Sequence, residues 1–102
     1  MENLKTFKES IDTNTLPVGI SVQLKALWYD ARGDWHKAHT LVDQLNDSSS
    51  ALIHAYLHRK EGDIWNADYW YNRAKSTRPD VTLSEEWEAL VERFCSIKDS
   101  EV

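Results

Sequence analysis

Apolar residues recur along most of this chain at spacings of three and four, the mark of helices that each bury one stripe. Leu4, Phe7 and Ile11 outline a short first helix, which the polar run 12–15 breaks. Pro17 suits the first turn of the next helix, where its missing N–H has no partner to lose. Ile20, Leu24, Leu27, Trp28 and Ala31 then share a stripe that stops at Gly33. Asp34 caps another helix, with Trp35, Ala38, Leu41, Val42 and Leu45 inward. After the turn-forming residues 46–50, a helix over about 49–61 ends at Gly62, and Asp63 begins one that reaches about residue 77. Its stripe is Ile64, Ala67, Trp70, Tyr71 and Ala74, and Pro79 forbids its continuation. Thr82 with Glu85 three residues on forms a capping box for a last helix that buries Leu83, Trp87, Leu90, Val91, Phe94 and Cys95. The tail after Lys98 is expected to fray.

Two of these segments align without gaps: LKALWYDARGDWHKAHTLVDQL and IHAYLHRKEGDIWNADYWYNRA, with Gly33 on Gly62, Asp34 on Asp63 and Ala38 on Ala67, an offset of 29 residues. Self-similarity at such a period points to stacked helical hairpins, each needing a neighbour to bury its second face. Ala55 and Ala67 let two helix axes approach closely, and Tyr71 fills the space that the alanines leave. On Ala55, Gly62-Asp63, Ala67, Tyr71, Ala74 and Pro79 the second unit resembles a tetratricopeptide repeat. The first unit keeps Ala26, Tyr29, Gly33, Asp34 and Ala38 but has Val42 and Leu45 where that family has an aromatic and an alanine. Its period also falls short of the family's, which is about 34 residues, and the shortening lies in the loop 46–50. The run HAYLHRKEGDIWNADYWYNRA is similar, too, to a recurrent stretch in small uncharacterised microbial proteins, which supplies no activity.

The resemblance implies one all-α domain over residues 1–102. Two antiparallel hairpins, about 18–46 and 48–78, would be flanked by the short N-terminal helix and a C-terminal packing helix over about 82–98. It also implies a partner groove along the first helix of each hairpin, lined by Gln23, Leu27 and Asp30 from one and Leu52, Tyr56, Arg59 and Lys60 from the other. A peptide there would bury an apolar side chain against Leu27 and Tyr56 and present a carboxylate to Arg59 or Lys60. Two features could close that groove: the shortened loop 46–50, by tilting one hairpin onto the other, and the N-terminal helix, by occupying it.

Composition narrows the function further. A chain of 102 residues with 3 Gly and 2 Pro suits one helical core and is small for an enzyme with a separate lid or cofactor domain. A formal net charge of -5 argues against nucleic acid and anionic membranes as partners, since phosphate binding needs clustered Lys and Arg. The basic residues instead gather near helix ends, Arg59 with Lys60 and Arg73 with Lys75 and Arg78, where they complement the helix dipole. One cysteine, Cys95, allows no internal disulfide and fits a reducing compartment. The opening MENLKTFKESID is too polar for a signal peptide, and a cytoplasmic location is expected.

Phosphate-cradling glycine loops, cysteine pairs for zinc and Gly-x-Ser-x-Gly turns are all missing from the sequence, so no catalytic residues, no cofactor and no metal are assigned. The expected function is a protein-interaction module, with a protein or peptide partner or a second copy of the chain. The alternative is a small-ligand or metal-binding protein that uses His54 and His58, which lie four apart and so stack on one helical face. His36, His39 and Asp43 form a second grouping, placed on a polar arc opposite Trp35, Leu41 and Val42. Trp65, Tyr69 and Arg73 make an i, i+4, i+8 ladder outside the core stripe of their helix. Aromatic and Arg side chains dominate interface energetics, which makes this ladder a second candidate contact.

Overall fold

The computed structural model describes the backbone of residues 3–100 and the side chains through Cys95. It contains six helices and, among the described residues, no strand: α1 Leu4–Asp12, α2 Val22–Ala31, α3 Trp35–Val42, α4 Ser48–Glu61, α5 Ile64–Arg73 and α6 Leu83–Ser100. No helix among them is long and apolar enough to cross a membrane.

The Gly-Asp pairs do the same local work in both aligned segments. Gly33 and Gly62 take left-handed conformations, φ 87° and 91°, that close α2 and α4. The next N–H reaches back to the last turn, Asp34 to the Tyr29 carbonyl and Asp63 to that of His58, which satisfies acceptors the helix itself leaves open. The same aspartates then cap the following helices, Asp34 accepting from the Lys37 N–H and Asp63 from the Asn66 N–H. At the start of α6 the capping box forms as anticipated: Thr82 N–H donates to Glu85, and Glu85 N–H to the Thr82 hydroxyl.

Three boundaries differ from expectation. Pro17 lies in a loop, because Ser21 supplies the side-chain cap and α2 starts at Val22, leaving Ile20 buried outside the helix. α5 stops at Arg73, short of residue 77, because Lys75 turns left-handed at φ 59° and Ser76 N–H bonds back to the Tyr71 carbonyl. α6 continues past Lys98 to Ser100; residues 101–102 of the expected frayed tail lie outside the described residues. Two stripe positions, Ala31 and Ile64, are exposed instead of buried.

α4 is the centre of the molecule. Every residue from position 50 to 58 is buried, and α2, α3, α5 and α6 all pack against it. Sequential pairs make the broadest contacts, α2 with α3 and α4 with α5, while α6 packs on α2 and α4 and α1 packs on α6. Ala55 and Ala67, both fully buried, stand in this packed interior.

Ala55→Leu and Ala67→Leu are each expected to cost roughly 1 to 3 kcal/mol, since added methylenes have no free volume to enter. In thermal unfolding followed by circular dichroism, roughly 4 to 8 °C should be lost per kcal/mol. Wild-type melting by both variants would mean that the α4 and α5 interior is loosely packed.

Candidate functional site

α6 packs across the α2 and α4 residues on which a partner groove was expected. Trp87 inserts over Leu27, its indole N–H donating to the Leu27 carbonyl at 3.0 Å. Glu86, 4% exposed, accepts from Arg59 Nη1 at 2.7 Å and from the Tyr71 hydroxyl at 2.6 Å. Arg59 also donates to the Val81 carbonyl. An apolar side chain against Leu27 and a carboxylate on Arg59 were the features expected of a bound peptide; the chain's own last helix supplies both. α1 packs beside it, with Phe7 against Trp87, ring centres 6.0 Å apart, and the Ser10 hydroxyl accepting from the Trp28 indole N–H of α2.

The other groove residues are likewise committed to internal partners. Tyr56 donates to Asp30 Oδ2 at 3.0 Å and Lys60 to Asp30 Oδ1 at 2.9 Å, so the buried Asp30 carboxylate ties α2 to α4. Burial, followed by the charge of Asp30, pushes the Tyr56 phenol far above its ordinary range and keeps it a donor. Gln23 donates to the Ser50 hydroxyl at 3.0 Å, and Leu52 is buried. What stays open is a cleft of about 480 Å³ between Asp30, Tyr56 and Lys60 on one side and Lys8, Trp87 and Glu88 on the other.

The ladder on α5 does face outward. Trp65 is 79% exposed and Tyr69 44%, with their rings stacked at 6.3 Å. Arg73 donates to the Tyr69 hydroxyl at 3.0 Å and lies over the Trp70 ring at 5.1 Å.

The two histidine groupings of the sequence merge into one. His39, four residues after Trp35, shares its face of α3 and stacks on it at 4.9 Å, so it does not lie on an arc opposite Trp35. From there it meets α4, with His39 Nε2 3.1 Å from His54 Nε2 and the His39 and His58 rings 5.3 Å apart. One atom from each of His39, His54 and His58 lies within 4.8 Å of the others. His36 stays exposed and outside the cluster. No family model, curated protein or solved structure matches this chain. The site is therefore read from its own chemistry.

Trp70 stacks on His54 at 4.0 Å from α5, and Trp35 meets His58 edge-on at 6.0 Å from α3. Glu61 Oε2 sits 2.6 Å from His58 Nδ1, and Asp43 Oδ2 3.8 Å from His39 Nδ1. His54 is 4% exposed, and its Nδ1 has no hydrogen-bond partner among the described residues. Burial, then the neighbouring His39 and His58, pull its pKa from 6.5 down to about 4. Burial followed by His58 lowers His39 as well. His54 is therefore a neutral imidazole at neutral pH, with a lone pair to offer a cation.

Below pH 6.5 an unfolded chain protonates His54 while the native chain resists until about pH 4, so native stability is full above 6.5 and falls as pH drops toward 4. The shift corresponds to a loss on the order of 3 kcal/mol. Urea midpoints at about pH 7.5 and about pH 4.5, taken in chelator-containing buffer, should fall less for His54→Gln than for wild type. Equal falls would remove His54 as the source of the acid sensitivity.

Proposed function

We propose that the chain is a protein-interaction module of tetratricopeptide-like type whose docking face is the outer side of α5. The observation that carries this reading is the stacked Trp65–Tyr69 pair, 79% and 44% exposed, on a helix whose one extensive neighbour is α4. Arrays of stacked hairpins shield their terminal faces with polar residues. α5 offers two large aromatics there instead, and a large ring left in water costs free energy that a partner recovers. Arg73, held by the Tyr69 hydroxyl and the Trp70 ring, adds a fixed cation at the edge of the patch. The fitting partner is a protein surface, on another protein or on a second copy of this chain, with an apolar recess for Trp65 and an acidic rim opposite Arg73.

The repeat groove is not the docking face in this reading, because Glu86 and Trp87 of α6 already use it. Binding, not catalysis, is the role, and the buried thiol of Cys95 suits a reducing cytoplasm.

The double variant Trp65→Ser/Tyr69→Ser should keep the helicity and melting temperature of wild type. Its association, read as sedimentation mass over a concentration series and as affinity for any co-purifying protein, should weaken at least roughly tenfold. Loss of stability comparable to Ala67→Leu would return both rings to the core, and unchanged association would remove the patch as a docking face.

A further inference from the structure

We propose that His39, His54 and His58 form a three-histidine site for a borderline divalent transition-metal ion such as zinc, nickel or copper, a role separate from the α5 docking face. Two nitrogens bound to one ion at roughly 2.0 to 2.1 Å stand roughly 3.0 to 3.4 Å apart, depending on the angle between them. His39 Nε2 and His54 Nε2 are 3.1 Å apart, so this pair already has ligand spacing. With no ion the two facing nitrogens must share a single proton; an ion replaces that proton and bonds to both.

The carboxylates behind two of the rings fit the same reading. Metal-bound histidines turn their second nitrogen to a carboxylate, carbonyl or water, which sets tautomer and ring angle. Glu61 at His58 Nδ1 and Asp43 near His39 Nδ1 occupy that position, leaving each ring its Nε2 for the ion. Trp35 and Trp70 stack on His39 and His54 and hold their planes, the preorganisation that a metal site needs. His54 is more than nine-tenths buried, and its Nε2, already facing another imidazole, is the lone pair that it turns toward the centre of the cluster. The His39 side chain, 24% exposed, provides the approach from solvent.

Three imidazoles with no thiolate select borderline ions over magnesium or calcium, and three protein ligands leave at least one coordination position for water or an external ligand. The neighbouring grouping of His58, Glu61 and Asp63 is the weaker candidate, since Asp63 caps α5 and Glu61 orients His58.

The test uses the full chain without an affinity tag, freed of metal by chelator dialysis. Calorimetric titration with zinc should give one ion per chain, with a raised melting temperature. Copper should quench the fluorescence of the tryptophans stacked on the ligands. His39→Gln should weaken binding by more than roughly 100-fold, and the control His36→Gln should bind as wild type. Nitrogen-15 resonances of the imidazoles keep the proposal testable even where a variant folds poorly: zinc should shift those of His39, His54 and His58 and leave His36 in place. Absence of stoichiometric binding, undiminished binding by His39→Gln, or zinc shifts confined to His36 would each overturn the site.

Discussion

Burial of α4 on every side is the constraint from which the rest of the structure follows. Nine consecutive residues, positions 50 to 58, are removed from water, and four of them carry polar groups: Ser50, His54, Tyr56 and His58. A helix so enclosed must find a partner for each such group on the element that covers it. Two of the covering helices and α4 itself provide them. α2 brings Gln23 to Ser50 and Asp30 to Tyr56, α3 brings His39 to His54, and Glu61 at the end of α4 itself serves His58. The polar contacts therefore set the register of the helices around α4, while the alanines and leucines between them supply most of the burial energy.

The seating of α6 obeys the same logic with a charge. Glu86 is buried, and Arg59 from α4 and the Tyr71 hydroxyl from α5 together satisfy its two oxygens. Burial first, then that hydrogen bond, push the Tyr71 phenol far above its usual range, so it stays a donor. One carboxylate thus joins three helices, and Trp87 beside it closes the surface over Leu27. Trp65 and Tyr69 on α5, in contrast, are left uncovered.

Not every polar group is satisfied this way, and the exception lies at the histidine cluster. His54 Nδ1 is the one buried side-chain polar atom with no hydrogen-bond partner among the described residues. The cluster also lies one ring away from the aromatic patch, since Trp70 stacks on His54 at one face and meets Tyr69 edge-on at 5.3 Å. In the two roles proposed above, ion binding at the histidines and docking on α5, Trp70 is the side chain shared by both.

The local features of this chain were legible in its sequence because they depend on residues within a few positions of one another. The Gly-Asp closures, the aspartate caps, the Thr82–Glu85 box and the outward ladder of Trp65, Tyr69 and Arg73 follow from backbone freedom and helical spacing alone. Where two local signals competed, the sequence misled: Pro17 suits a helix start, yet Ser21 offers the cap; Pro79 limits α5, yet Lys75 closes it earlier. The spacing of Trp35 and His39, four apart, was the available sign that His39 faces inward. Tertiary structure alone decided the rest. An apolar stripe states that α6 is buried but not on which helices, so its place in the groove could not be read. Nor does periodicity in α3 and α4 separately carry the angle between them, which is what brings His39 onto His54 and turns two unremarkable histidine pairs into one cluster.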